Sequence, residues 1–172
     1  MFDHSSTSKQ KIALKYGIFL GVILILISIV QHLRNKHLDT SLISSLLTKL
    51  PILLITFIAI KKQVSLYGQN KIADAIKIGV SIAVISSVMT SVYNQIVFTY
   101  IDPELREIIM KMQIEALEQN ASLSPEELEI YKENIKNTNF FTSSALSITA
   151  NGLIGFLLSS LSYFIIRLSN KN

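Results

Sequence analysis

The 172-residue chain has no cysteine, only three histidines and three prolines, and a charged fraction of 16%. Without cysteine there is no disulfide, no thiolate nucleophile and no sulfur-ligated metal. His4, His32 and His37 match no standard zinc spacing, even with Asp39 close to the last two. A glycine-rich dinucleotide loop, a P-loop, the paired histidines of a zinc protease and a GxSxG nucleophile elbow are all missing. The usual catalytic and metal constellations are thereby removed, and no cofactor is expected. Scarce charge beside 49% hydrophobic residues also argues against an ordinary soluble domain. Although the pI is near 9.3, the basic residues are scattered around helix ends, so nucleic acid is not the expected partner.

What the chain does have is four apolar runs, at residues 16–33, 42–60, 78–98 and 145–166. Each is close to the roughly 20 residues that cross a hydrocarbon core about 30 Å thick. Lys9, Lys11 and Lys15 precede the first run as they would in a secretory signal, but no small-x-small cleavage site follows it. It reads as a retained helix, whose Leu, Ile, Val and Phe residues favour insertion by about 4 to 7 kcal/mol at most. The second run has less margin because it holds Lys49 and Pro51, and a central lysine costs about 2.5 to 3.5 kcal/mol. Lys49 has two readings: an interfacial residue that snorkels to headgroups, or a polar residue inside the bundle.

Between the third and fourth runs lies an acidic, helix-patterned insert. Residues 102–139 carry nine acidic and four basic side chains, a net charge of −5. Asp102-Pro103-Glu104 supplies an N-cap, a proline at the first helical position and an acid in the first turn; Leu105, Ile108, Ile109, Met112 and Ala116 then follow at helical spacing. Ser124-Pro125-Glu126-Glu127 opens a second helix as a capping box, with Leu128, Tyr131 and Ile135 as its stripe. Asn120-Ala121-Ser122 reads as the intervening turn. Two short amphipathic helices must bury their stripes against each other, the membrane surface or a partner, and their acidity disfavours flat adsorption to anionic lipid.

The fold expected is an all-α integral membrane protein: four transmembrane helices with an extracytoplasmic two-helix insert between the third and fourth. Its divisions are 1–15, a cytoplasmic segment; 16–101, three membrane helices; 102–142, the insert; 143–168, the fourth helix; and 169–172, a cytoplasmic tail. Lys and Arg set the orientation. Placing both termini in the cytoplasm puts nine of them inside, against three in the short segment opposite and four in the insert.

Small residues recur every four positions along the membrane runs. Gly17 and Gly21 form a GxxxG pair; Gly79, Ala83, Ser87 and Ser91 follow on the third run; Ser143, Ser147, Asn151, Gly155 and Ser159 on the fourth. Such ladders let helix backbones approach closely where lipid supplies no hydrophobic drive to association. They are the candidate packing residues. Lys49, Thr90 and Asn94 are the candidate intramembrane polar site, and Ser87, Ser91 and Gln95 add to the polarity of the third run.

Four segments resemble the small bacterial inner-membrane proteins of the domain-of-unknown-function family DUF4199: Ala73-Asp74-Ala75-Ile76-Lys77-Ile78-Gly79, Tyr100-Ile101-Asp102-Pro103-Glu104, Leu123-Ser124-Pro125-Glu126-Glu127, and the last helix with Gly152 and Gly155 before a basic tail. Residues 69–72 lack the family's aromatic residue, and residues 139–142 lack its proline. The resemblance implies a four-helix protein of the bacterial cytoplasmic membrane with no assigned activity. The functional expectation is a non-enzymatic accessory or scaffolding protein. It would contact membrane lipids and another membrane or envelope protein, or a second copy of itself, through helix packing and the insert. The alternative is a small transporter, channel or lipid-handling protein.

Overall fold

The computed structural model describes residues 4–34, 42–67, 71–119, 123–137 and 139–169. His37, Asp39, Gln69, Asn70 and the turn Asn120-Ala121-Ser122 lie outside the described residues. Among those described, the chain is helical throughout: α1 (His4–Leu33), α2 (Leu42–Tyr67), α3 (Ile72–Ile96), a π-helical segment (Val97–Ile101), α4 (Pro103–Glu118), α5 (Pro125–Asn137) and α6 (Phe140–Ser169).

The helices divide into two compact units. The first comprises residues 1–90 and 146–172, and the second Ser91–Ala145. In the first unit one apolar cluster joins Ile12, Ala13 and Leu20 of α1 to Ile55 and Ala59 of α2 and Ile78 and Ile82 of α3. A second joins Ile60 of α2 to Ala75 of α3 and to Tyr163 and Ile166 of α6. α2 is thus packed against α1, α3 and α6.

The surface is more apolar, and the interior holds more polar side chains, than in a water-soluble bundle. Thr56, Gln63, Ser86, Ser87, Ser159 and Ser162 are buried, whereas Phe19, Leu26, Val92 and Leu157 are exposed by 56%, 55%, 54% and 64%. Small polar residues inside and large apolar ones outside suit hydrocarbon as the surrounding medium, because lipid rewards close backbone approach and does not penalise exposed Leu. Three helical stretches, Lys9–Leu33, Ile72–Ile101 and Phe140–Ser169, are long and apolar enough to cross a membrane. α2 is 26 residues long but carries Lys49, Lys61 and Lys62 and does not meet that criterion within its described residues. Pro51 lies inside it without ending it.

The end of the third apolar run follows from Pro103. A residue before proline is pushed out of the α region, and Asp102 adopts φ −144°, ψ 78°. Its N–H reaches back five residues to the Val97 carbonyl at 2.8 Å, so the run closes in a π turn before α4 begins. The Asp102 side chain then accepts from the Leu105 N–H at 3.1 Å.

In the second unit α4 packs on α5. Ser124 and Glu127 form a reciprocal capping box: the Ser124 N–H donates to Glu127 Oε2 at 2.9 Å and the Glu127 N–H to Ser124 Oγ at 3.3 Å. Lys132 of α5 bridges Glu118 of α4 at 2.8 Å and Glu129 of its own helix at 3.2 Å. α6 starts on a cap absent from the sequence reading. Asn139 Oδ1 accepts from the Thr142 N–H at 2.9 Å.

Candidate functional site

Polar side chains line cavities in both units. In the first unit one is reached through the small-residue ladders. Gly17 and Gly21 form a groove on α1 into which Ile85 and Met89 of α3 project; a Cβ on Gly17 would stand 2.9 Å from Ile85 Cβ, and one on Gly21 would stand 2.6 Å from Met89 Sδ. Another face of α3 crosses α6. A Cβ on Gly79 would meet Ser159 Cβ and come within 2.9 Å of the Gly155 carbonyl oxygen; one on Gly155 would come within 2.7 Å of Ala83 Cβ and 2.8 Å of the Gly79 carbonyl oxygen. Ser87 and Ser159 are buried, whereas Ser147 is exposed and accepts a long, 3.5 Å bond from Asn151 Nδ2. Ser91, in the second unit, is buried.

A cavity of about 30 Å³ lies among these helices, lined by Ser86, Ser87, Thr90 and Asn151 together with Leu24, Ile52, Ala83 and Ile154. That is room for one water molecule. Its hydroxyls are largely engaged by their own helix: Thr90 Oγ donates to the Ser86 and Ser87 carbonyls, both at 3.1 Å, and Ser86 Oγ to the Ala83 carbonyl at 3.1 Å. Of the three residues singled out as an intramembrane polar site, Thr90 lines this cavity. Lys49 is exposed on α2, and Asn94 is exposed in the second unit. Lys9 and Asp74 pair at 3.0 Å, joining the starts of α1 and α3.

The second unit holds a larger cleft, about 170 Å³, between α4, α5, the π segment and the start of α6. Its floor is apolar: Phe98, Ile109, Met110, Ile135 and Phe140 are all half-buried. Its rim is polar, with Arg106, Gln113, Thr99, Asn139 and Ser143 exposed and Gln95 half-buried. Gln95 Nε2 donates to Thr99 Oγ at 3.0 Å, one π-distorted turn away. Among the described residues no carboxylate lines the cleft, although the segment around it is strongly acidic. Among the described residues Arg106 is the one formal charge in the lining.

Sequence reasoning named neither the cleft nor Arg106. On α4 it selected one of two adjacent apolar stripes; Leu105 is buried and Ile109, Met110, Ile114 and Leu117 half-buried, while Ile108, Met112 and Ala116 face outward. The available signal was the mixed row Arg106, Ile109, Met110, Gln113, apolar and polar at once, on a helix that follows directly upon a π turn. Among the described residues no three His, Asp or Glu side chains converge as a metal site would require.

The sequence profile of the family described as "Protein of unknown function (DUF4199)" matches residues 15–167. No curated protein and no solved structure matches the chain.

Proposed function

The chain belongs to the DUF4199 family, and we propose that it is a four-span accessory protein of the bacterial cytoplasmic membrane whose acidic insert docks a protein partner. α2 is the fourth span in this reading. Its apolar stretch ends at Lys61 and Lys62, Lys49 snorkels to the opposite interface, and its buried face shares the apolar clusters of the three recognised spans. An even number of crossings puts both termini on one side. The excess of Lys and Arg in the short segments makes that side cytoplasmic and the insert external.

One observation carries the docking role. α4 and α5 pack on each other yet leave Ile108, Met112, Ile130 and Tyr131 exposed by 40%, 38%, 54% and 47%, on a segment of net charge −5. Apolar side chains spaced among acids suit a partner that presents apolar residues ringed by Lys and Arg. The water-sized cavity at the polar site supports the transport alternative poorly, because nothing larger than a water molecule fits it. Crosslinking in intact membranes through Ile130→Cys is the test. A discrete adduct with another membrane or envelope protein, lost on Tyr131→Glu, is expected; recovery of the monomer alone would remove the reading.

A further inference from the structure

The first unit also holds a groove that neither the packing ladders nor the docking argument uses. It lies between the ends of α2 and α6 and has a volume of about 390 Å³. Phe57, Lys61, Val64 and Ser65, which share one stripe of α2, face Ile165 and Ser169 of α6 across it. That volume is within the range of about 300 to 1,000 Å³ common to ligand pockets, and far above the single water that the ladder cavity admits. Its polarity is graded. Phe57 and Val64 are half-buried at the floor, whereas Lys61, Ser65 and Ser169 are exposed at the rim. Its depth follows from the ends of the helices. Ser169 closes the α6 stretch that is long enough to cross a membrane, Lys61 and Lys62 close the apolar stretch of α2, and Ile60 packs with Tyr163 and Ile166 to hold the two helices together there. The groove therefore stands where hydrocarbon gives way to headgroups.

Charge at this end favours an anion. The first unit carries twelve basic and three acidic residues, a net charge of +9. Asp74, the one acid of the three among the described residues, is taken by Lys9 at 3.0 Å, and no described carboxylate pairs with Lys61. Lys62 and Arg167, each next in sequence to a lining residue, are exposed as well. The partial negative charge of a helix C-terminus is confined to its last turn; Lys61 stands six residues before Tyr67, where α2 ends, and Arg167 offsets the last turn of α6. An ammonium and hydroxyls above an apolar floor, between membrane helices, match a lipid phosphate and its acyl chain. A zwitterionic headgroup would bring its own ammonium against Lys61, Lys62 and Arg167, with no described carboxylate to receive it. We propose that the groove holds one anionic glycerophospholipid of the bilayer, its phosphate at Lys61 and Ser65 and an acyl chain along Phe57, Val64 and Ile165. The inference rests on α6 crossing the membrane. It depends neither on docking of the insert nor on which side the termini occupy.

The test uses the full chain in phosphatidylcholine nanodiscs containing a trace of phosphatidylglycerol with a diazirine in one acyl chain. Labelling should map to peptides containing Phe57 and Ile165. Unlabelled phosphatidylglycerol should compete better than phosphatidylethanolamine of the same chains by about tenfold or more, as the loss of a charged hydrogen bond implies. Lys61→Gln should erase that preference and Lys61→Arg should keep it. Lys11→Gln, which removes an exposed lysine at the same end of the bundle but outside the groove, should leave the label unchanged. Ile165→Trp, which fills the groove from its exposed side, should abolish the label. Helix content and melting temperature report whether each variant folds, and Ser65→Trp replaces Ile165→Trp if the latter does not. Soluble glycerol phosphate should not compete, because it has no chain to seat on the floor; displacement by it would make this a free-anion site and overturn the proposal. Equal competition by phosphatidylglycerol and phosphatidylethanolamine overturns it too. So does label that Lys11→Gln weakens as much as Lys61→Gln, or label scattered over the helix exteriors and unchanged by Ile165→Trp or Ser65→Trp.

Discussion

Gly79 and Gly155 face each other so closely that neither can carry a side chain. A Cβ on the first comes within 2.9 Å of the second's carbonyl oxygen, and a Cβ on the second within 2.8 Å of the first's. The obstacle is backbone in both directions, so α3 and α6 would have to separate to admit a methyl. Separation forfeits the dispersion contacts on which helix association in lipid depends.

Gly155→Leu should therefore destabilise the folded chain by about 1 to 3 kcal/mol or more through overpacking. Gly152 provides the control, one turn away on the same helix. Its added Cβ would meet only Val84 Cγ2 at 3.9 Å, an ordinary contact. Gly152→Ala should thus be neutral or stabilise by about 0.5 to 1 kcal/mol, as removing glycine from a helix interior does. Thermal unfolding of both variants in the same micelle checks the contrast, and equal losses would sink it.

Gln63 is fully buried on α2, and among the described residues neither atom of its amide has a hydrogen-bond partner. A buried amide in that state costs about 1 to 3 kcal/mol. Gln63→Leu conserves volume and should raise the melting temperature. A fall would mean that the amide is held by an interaction this packing does not display.

Much of the fold is readable from composition because it rests on local signals. Asp102, Pro103 and the Ser124 capping box act within four residues of themselves, and their bonds form where their order predicts. The ladder glycines are readable as packing residues, but not the helix each meets; Gly17 and Gly21 reach Ile85 and Met89 more than sixty residues away. The Lys9 to Asp74 pair spans 65 residues and leaves no periodic trace. The π turn escaped because apolar periodicity continues through it unchanged. The cleft escaped because it depends on which of two adjacent stripes α4 buries, and tertiary packing decides that choice.

The hairpin should respond to pH in two opposite directions. The Ser124 backbone N–H, and then its hydroxyl, donate to the Glu127 carboxylate and hold its pKa below the ordinary carboxylate value. A depressed pKa stabilises fully above the unfolded value of about 4.3, and that stabilisation is lost as pH falls through the folded one. Lys132 is held above its ordinary value, first by its hydrogen bond to Glu118 and then by that to Glu129. Its contribution is complete below about 10.4 and is lost as pH rises through the folded value. Hydrogen exchange at the Glu127 and Leu128 amides should stay slow between these limits. Glu127→Gln should flatten the acid limb, since a glutamine can complete the box without titrating. An acid limb unchanged in that variant would assign it to another group.

Orientation is open to direct measurement because the chain contains no cysteine, so a single introduced thiol is the only one labelled. With both termini cytoplasmic, Gln119→Cys at the end of α4 faces outward and Gln69→Cys, between α2 and α3, faces the cytoplasm. A membrane-impermeant maleimide applied to intact cells should modify the first at once and the second only after permeabilisation. A further thiol near the N-terminus, Ser5→Cys, tests α2 as a span. If α2 does not cross while α1 and α3 do, residue 69 lies on the side opposite the N-terminus, and Ser5→Cys and Gln69→Cys differ in accessibility; if α2 crosses, the two share one. External labelling of both Ser5→Cys and Gln69→Cys, with Gln119→Cys protected, would keep the span and invert the protein, placing the acidic insert and its Arg106 cleft on the cytoplasmic face.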